Sequence, residues 1–339
     1  MKTINVFGFH SHLGNDSRPS AFKTFIDPLK KHLKVNVFPI DNASINQFNY
    51  DSLIGSPIVF WAIHPNSKLF LHVKHNITWV PMYDDVLWQS KNWWRKISKR
   101  VKIISYSDSI YKKIKHFDHK AIKVKYFEDP ANFKKCSWNK GINIFYWNRS
   151  GLLTKKQIEL ICLKTKAKTL VFRNHLDYYA HHSQNISLNG KTGLTKIISL
   201  DNNTSYEKYL SALSKCNVFF SPRLYEGIGL TNLEAMASGM AVFSPSNPTM
   251  SEYIKHNSNG ILLNYNNSIR HYNRFITKLG KLFKINLDPL PVLLNNSRIK
   301  NINLNLLEKI GNKAREDHKV GYRNWENTVP KIVKFIFEK

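Results

Sequence analysis

The sequence predicts an α/β protein made of two doubly wound parallel sheets in tandem, with ligands bound in a cleft between them. Short, continuous apolar runs alternate with helix-length segments, a pattern typical of parallel strands that are covered on both faces. The alternation stops at EDPANFKKCSWNKG, residues 128–141, and then restarts. The chain has 339 residues, of which 42% are hydrophobic, and this is enough for two separate cores.

Apolar runs give the predicted strands in order. In the first half they are INVFGF at residue 4, VNVFPI at 35, PIVFWAI at 57, ITWVPM at 77, VKIISYS at 101 and AIKVKYF at 121. In the second half they are INIFYW at 142, KTLVFR at 168, TKIISL at 195, CNVFFS at 216, MAVFSP at 240 and GILLNY at 260. Because ligands of such sheets bind at the carboxyl ends of the strands, we expect the functional residues there.

The last segment, VGYRNWENTVPKIVKFIFEK, is amphipathic and predicts a helix that packs across both domains, with Pro330 kinking or restarting it. The segment before it, PLPVLLNNSRIKNINLNLL, is irregular and receives no assignment. The predicted domains are therefore residues 1–135 and 136–315, followed by a crossing helix at 316–339.

Charge and composition restrict the class of protein less than the alternation of apolar runs and helix-length segments does. Lys and Arg number 51 against 23 Asp and Glu, and the net charge of +28 attracts phosphorylated metabolites, nucleic acid and anionic lipids alike. Three scattered cysteines are too few for a disulfide framework or a structural zinc site. The N-terminal apolar run is too short for a secretory signal, and no stretch approaches the roughly 20 apolar residues that span a bilayer. We expect a cytoplasmic protein whose contact with the inner face of the membrane, if any, is peripheral.

The stretch SPRLYEGIGLTNLEAMASG carries the predicted chemistry. A strand ends near Ser221, a turn holds Glu226 and two glycines, and a helix begins around Leu230. Glycines let the backbone approach a ligand, and the first N–H groups of a helix face an anion, so this turn predicts a phosphate cradle. Ionised Glu226 and Glu234 suit neighbouring sugar hydroxyls. The plain alternative, an ordinary strand, turn and helix, does not explain two Glu and two Gly before AMASG.

This stretch resembles the donor site of retaining glycosyltransferases of the GT-B fold, in particular the family-4 bacterial glycan enzymes (glycosyl transferases group 1). The resemblance covers roughly residues 205–265, including FSPSNPTMSEYIKHNSNGILL. It implies two Rossmann-like domains, an N-terminal one for the acceptor and a C-terminal one for a nucleotide sugar. It also implies that Glu226 holds the donor sugar, that Glu234 holds the ribose and that the amides from Gly227 to Thr231 hold the phosphates.

The same resemblance implies basic residues after the first strand of the C-terminal domain, an Arg followed by a Lys. YWNRSGLLTKK supplies Arg149, and the resemblance implies the Lys five residues later, where Thr occupies position 154. The candidates for the second role are therefore Lys155 and Lys156, and we assign it to Lys155. The predicted catalytic residues are Glu226, Arg149 and Lys155. The predicted donor-binding residues are Glu234, Gly227, Ile228, Gly229, Leu230, Thr231 and Arg173, the last of which ends the strand KTLVFR.

Candidates for the acceptor lie in the first half. Gly14 follows the first strand. It lies either in a loop whose backbone amides approach the donor phosphate or the acceptor, or in a plain turn between strand and helix. His64 and Asp84 each end an apolar strand, where they meet the acceptor hydroxyl or serve in packing and capping. His10 and His12 have no carboxylate or cysteine partner at metal spacing, so we predict no metal and no cofactor besides the donor.

The segment WQSKNWWRKISKRVK, residues 88–102, interleaves Trp93 and Trp94 with basic residues. It suits an anionic membrane surface, a nucleic acid, or a solvated helix whose Trp residues face the core. We predict a glycosyltransferase that moves a sugar from a nucleotide donor to a glycan or lipid-linked acceptor in surface polysaccharide (capsule or lipopolysaccharide) synthesis, with nucleic acid an unlikely partner. The alternatives are a protein that binds RNA or another anionic polymer, and a sugar-nucleotide epimerase of the same fold.

Overall fold

The computed structural model describes residues 1–9, 20–41, 44–53, 55–63, 75–149, 153–175, 186, 188, 191–192, 195–201, 203–264 and 302–338. The chain divides into two compact units. The first comprises Met1–Glu128, Glu226–Leu230 and Val320–Lys339, and the second comprises Asp129–Tyr225 and Thr231–Lys319. Each unit is built around one sheet.

The sheet of the first unit is parallel throughout. Its strands are β1 (Thr3–Phe9), β2 (Lys34–Ile40), β3 (Ile58–Trp61), β4 (Ile77–Val80), β5 (Lys102–Ser105) and β6 (Ala121–Lys123). They lie in the order β2-β1-β3-β4-β5-β6. Every residue of β3, β4 and β5 is buried, as expected for parallel strands covered on both faces.

The described helices of the first unit are α1 (Ala21–Lys30), α2 (Tyr83–Val86), α3 (Lys91–Arg95) and α4 (Asp108–His116). Serine side chains cap three of them, since Ser20, Ser90 and Ser107 each accept a hydrogen bond from a backbone N–H of the first turn. The core beneath is aromatic. Trp94 of α3 is fully buried, with its ring centroid 5.8 Å from that of Trp79 on β4.

The sheet of the second unit contains β7 (Asn143–Asn148), β8 (Thr169–Asn174), β9 (Lys191–Thr192), β10 (Thr195–Leu200), β11 (Val218–Phe220), β12 (Ala241–Pro245) and β13 (Ile261–Leu263). The order is β13-β12-β11-β7-β8-β10-β9, and only the pairing of β9 with β10 is antiparallel among the described strands. Each apolar run that predicted a strand forms one, so the predicted fold class is confirmed. The two-residue strand β9 was not predicted.

The described helices of the second unit are α5 (Lys155–Thr165), α6 (Tyr206–Leu213) and α7 (Leu230–Ala237). The predicted start of a helix at Leu230 is confirmed. Residues 128–141, which read as a linker, are held against this unit: Phe133, Cys136 and Trp138 are buried, and the Cys136 N–H donates to the carbonyl of Ser238 at 2.8 Å.

A long helix, α8 (Leu304–Phe337), closes the described chain. It begins inside the segment that the sequence left unassigned, and its residues from Val320 onward belong to the first unit. There the Trp325 ring lies 5.3 Å from that of Tyr126, so the predicted packing of the C-terminal helix on the N-terminal domain is confirmed. Of the two outcomes predicted for Pro330, the restart of the helix is wrong, because α8 continues through it, and the kink stays a prediction. Pro330 has no N–H to donate to the carbonyl four residues before it. Because Pro330 is exposed, water can donate a hydrogen bond to that carbonyl instead.

The strand order places the expected ligand sites. In an open α/β sheet, ligands bind beyond the carboxyl ends of the strands at the point where the order reverses. That point lies between β1 and β3 in the first sheet and between β7 and β11 in the second. Arg149 follows β7, and the loop with Glu226 follows β11. Among the described helices, none is long and apolar enough to cross a membrane.

Candidate functional site

The loop after β11 has the backbone expected of an anion cradle. Gly229, directly before α7, has a φ of 81°, a conformation that glycine adopts without the strain other residues incur. Glu226 and Ile228 are buried, at 6% and 3% exposure. The helix that starts at Leu230 has first-turn N–H groups without acceptors inside the helix. The amides of the turn and of Thr231 are therefore suited to bind a phosphate.

The part of this loop from Glu226 to Leu230 groups with the first unit, where it meets α2. A methyl group placed on Gly227 would lie 2.8 Å from Oδ1 of Asp84 and 3.2 Å from Cβ and Sδ of Met82. Position 227 therefore has no room for a side chain. The structure brings together one residue predicted to bind the acceptor, Asp84, and one predicted to bind the donor, Gly227.

Glu234 lies in the second unit, on α7, and is 3% exposed. Its carboxylate accepts hydrogen bonds from two tyrosines of α6: Tyr209 donates to Oε2 at 2.6 Å and Tyr206 donates to Oε1 at 3.3 Å. Burial, and after it the charge of Glu234, raises the pKa of Tyr209 well above its ordinary value. Tyr209 therefore stays protonated and remains a donor to the carboxylate.

Two predicted basic residues converge on one indole. The guanidinium carbon of Arg173 lies 4.2 Å from the centre of the Trp147 ring, and that of Arg149 lies 4.8 Å from it. The indole N–H of Trp147 donates to the carbonyl of His175 at 3.1 Å, which orients the ring. Each cation–π contact contributes about 0.5–2 kcal/mol, more where water is excluded. Arg173 is only 4% exposed, whereas Arg149 is half-buried, so both cations are held beside the carboxyl ends of β7 and β8.

The third predicted catalytic residue has a different environment. Lys155 is the first residue of α5 and is exposed. Thr154, at the position where the resemblance implies a lysine, caps that helix together with Gln157 in a reciprocal capping box. No hydrogen bond or ion pair joins Lys155 to the described residues around Trp147.

Two further candidates, Gly14 and His64, lie outside the described residues, as do His10 and His12. They follow β1 and β3, the strands that flank the reversal point of the first sheet. Within the described part of the chain, no group of three His, Cys, Asp or Glu side chains could hold a metal ion.

Sequence reasoning missed Trp147, Tyr206 and Tyr209. Their signals were present in the sequence: a Trp two residues before the predicted Arg149, and two tyrosines three apart on the helix that precedes the donor strand. Neither signal is specific by itself, because an aromatic residue at such a position is more often part of the core.

Comparison with known proteins supports the predicted family. Residues 181–282 match the family described as Glycosyl transferases group 1. No curated protein sequence matches the chain. Among solved structures, HepE from Anabaena, in complex with UDP and glucose, has a TM-score of 0.57 at 11% identity and covers 98% of this chain and 100% of its own.

Two other structures are similar over the whole chain. Sucrose-phosphate synthase from Thermosynechococcus elongatus has a TM-score of 0.62 at 11% identity, covering 99% of both chains. A glycosyltransferase from Rickettsia africae has a TM-score of 0.58 at 12% identity, covering 100% of this chain and 99% of its own. The GT-B fold and the resemblance to group 1 glycosyltransferases are confirmed.

Proposed function

We propose that this chain, a glycosyltransferase with the GT-B fold and a group 1 region, transfers a sugar from a nucleotide-sugar donor to a glycan or lipid-linked glycan, with retention of configuration, in surface polysaccharide synthesis. The observation that carries the proposal is the loop after β11, a glycine turn with a buried Glu226 at the start of a helix, inside the region that matches the family. HepE, with the same fold, was solved with UDP-glucose, which makes a UDP-sugar the first donor to test.

The proposed roles follow from the chemistry of each group. Glu226 accepts hydrogen bonds from hydroxyls of the donor sugar, Glu234 accepts them from the ribose of the nucleotide, and the amides from Gly227 to Thr231 bind the diphosphate. When the glycosidic bond breaks, the electron pair goes to the nucleoside diphosphate, whose negative charge grows. The acceptor oxygen forms the new bond on the same face of the sugar, and its proton passes to the departing phosphate.

Cations beside that phosphate supply most of the stabilisation. One cation at about 4 Å is worth on the order of 4 kcal/mol at an effective dielectric near 20, or about a thousandfold in rate. The helix terminus adds about 0.3–1 kcal/mol. Arg149 and Arg173 are held on Trp147 and at least partly desolvated, so we assign them the larger share. Lys155 is exposed and screened, and we assign it the smaller share.

On the acceptor side, the position of Asp84 supports the proposed role. Its Oδ1 lies against the backbone of Gly227, next to the residue that would hold the donor sugar. A carboxylate there can accept a hydrogen bond from the acceptor hydroxyl and orient it. Gly14 and His64 remain proposed for the same side.

A peripheral membrane position is also part of the proposal. In residues 88–102, Trp94 is fully buried and Trp93 packs against it at 5.2 Å, so these rings belong to the core. Trp88, however, is 52% exposed. The exposed cations that accompany it are Lys91, Arg95, Lys96, Lys99 and Arg100. An exposed indole among basic residues suits an anionic lipid surface, to which each near-surface cation contributes about 1 kcal/mol.

Thermal unfolding with a panel of UDP-, GDP- and ADP-sugars tests the donor assignment. We expect one nucleotide family to raise the melting temperature of the wild type and to do so much less in Glu226→Ala. Glu316→Ala, which removes an exposed carboxylate on α8, is the matched control and should respond as the wild type does. Melting curves that no nucleotide sugar shifts would refute the proposal.

Sedimentation with vesicles tests the membrane assignment. Wild type should bind vesicles that contain phosphatidylglycerol and not purely phosphatidylcholine vesicles, and Trp88→Ala should weaken that binding. Leu163→Ala, at a 72% exposed apolar position on α5, is the control. Equal binding by the wild type and Trp88→Ala would contradict the assignment.

A further inference from the structure

The carboxylate of Glu234 is held unequally by its two tyrosines. The Tyr209 hydroxyl donates to Oε2 at 2.6 Å, within the range of a strong O–H to carboxylate hydrogen bond. The Tyr206 hydroxyl donates to Oε1 at 3.3 Å, beyond the usual range for O–H donors. The two tyrosines therefore donate hydrogen bonds of different strength to the two carboxylate oxygens.

The helix explains why both tyrosines reach the same carboxylate. Residues three apart on a helix share one face, so Tyr206 and Tyr209 present their rings side by side, stacked with centroids 5.8 Å apart. Their depths differ. Tyr209 is 3% exposed and packs edge-on against Phe145 of β7 at 5.5 Å, whereas Tyr206, in the first turn of α6, is half-buried. Tyr209 is fixed by the core and Tyr206 borders solvent.

We propose that Tyr209 is a positioning residue that fixes Glu234 through Oε2, and that Tyr206 occupies Oε1 only until a ribose hydroxyl of the donor nucleotide replaces it. This inference rests on the proposed function, in which Glu234 binds the ribose. It assigns roles to two tyrosines that determine how strongly this site selects for a ribose.

Replacing the Tyr206 hydroxyl by a ribose hydroxyl conserves the number of hydrogen bonds that the Glu234 carboxylate accepts. Burial of a carboxylate costs desolvation free energy, which the Tyr206 hydrogen bond helps to offset in the unliganded enzyme. A ribose hydroxyl at normal distance then replaces a long hydrogen bond with a shorter one. Tyr206 reaches water at the border of the site, where its hydroxyl can be hydrated.

Calorimetric titration of the full chain tests this. UDP and 2′,3′-dideoxy-UDP are titrated into the wild type, Tyr206→Phe and Tyr209→Phe, and the series is repeated with GDP, ADP and their dideoxy forms. Because a hydrogen bond to a charged group is worth about tenfold or more in affinity, the wild type should prefer the ribonucleotide by about tenfold. Tyr206→Phe removes the competitor, so it should bind the ribonucleotide about threefold more tightly and the dideoxynucleotide as before.

Tyr209→Phe should lose most of the preference for the ribonucleotide, while its affinity for the dideoxynucleotide changes little. If Tyr209 had a purely structural role, Tyr209→Phe would lower the affinity for both nucleotides equally and leave the ratio of the two affinities unchanged. That result would overturn the inference. So would a Tyr206→Phe variant that binds the ribonucleotide more weakly than the wild type. Glu234→Gln is the second variant, and it should lose the preference as Tyr209→Phe does.

The two proposals fail in distinguishable ways. A wild type that binds none of the three nucleoside diphosphates refutes the proposed function and the inference with it. A wild type that binds one of them, with ratios that the tyrosine variants do not alter, refutes only the inference.

Discussion

Replacing Gly227 by alanine tests the geometry of the loop that carries the proposed donor site. The added methyl group would lie 2.8 Å from Oδ1 of Asp84, a separation that Cβ atoms in proteins essentially never show, and 3.2 Å from Met82. Met82 is only 6% exposed and so has little freedom to move away. The Asp84 side chain, the loop or α2 must therefore shift. Overpacking of this kind costs about 1–3 kcal/mol in stability.

The same displacement should also lower activity. A displacement of about 1 Å in a positioning element can lower the rate about a hundredfold, and the loop that moves includes Glu226. We expect Gly227→Ala to lower kcat/KM for hydrolysis of the preferred nucleotide sugar by about 10- to 100-fold. Denaturant unfolding of the same variant should show that the free energy of unfolding falls by about 1–3 kcal/mol.

Two further variants make the reasoning refutable. Gly55→Ala is the control for replacing a glycine, because its φ of 91° brings backbone strain while nothing lies within 4 Å of the new methyl group. It should lose stability and keep wild-type turnover. In an Asp84→Ala background the stability cost of Gly227→Ala should shrink, because the closest atom is gone. An unchanged cost in that background, or wild-type turnover in Gly227→Ala, would refute the argument.

The remaining predictions concern cations. Arg173→Lys keeps the charge but loses the planar guanidinium, and it should weaken donor binding, measured by calorimetry, by about tenfold. Lys155→Ala, at an exposed position, should weaken donor binding by less than about threefold. Equal effects would contradict the larger contribution to phosphate binding that we assign to Arg173. Lys102 is 3% exposed and donates to backbone carbonyls at the end of α8. Burial, and after it Lys120, lowers its pKa from 10.5 to about 8, while Glu338 opposes the shift. The unfolded chain therefore binds more protons between pH 8 and 10.5, and the free energy of unfolding should rise there by about 3 kcal/mol relative to Lys102→Met, followed by urea unfolding. Parallel pH profiles of the two proteins would refute this prediction.

Local sequence patterns were sufficient for the elements. Continuous apolar runs predicted the strands, because strands buried on both faces need apolar residues at every position. The glycines before Leu230 predicted the turn and the start of α7, because both depend on the backbone of adjacent residues. The domain boundaries at residues 135 and 315 remain predictions, as do the roles of the site residues.

Where local reasoning failed, the deciding contact was distant in sequence. Pro330 should interrupt a helix by itself, yet α8 continues through it while packing on the first unit, with Trp325 against Tyr126. Tertiary packing outweighs a cost of about 3 kcal/mol at one residue. Residues 128–141, which the sequence predicts as a linker, begin at the boundary between the two units, and their Cys136 and Trp138 side chains are buried.

The amino-acid sequence by itself determined the class of this protein: two parallel sheets, a glycine turn with paired glutamates, and the resemblance to one family of enzymes. Those properties are periodic or contiguous, so they can be read along the chain. Only the tertiary structure decided three contacts: the Arg173 guanidinium lies over the Trp147 ring, Tyr209 donates a hydrogen bond to Glu234, and Gly227 lies against Asp84. Each of these pairs joins residues that are far apart in sequence, and strand order together with helix packing sets the distances between them.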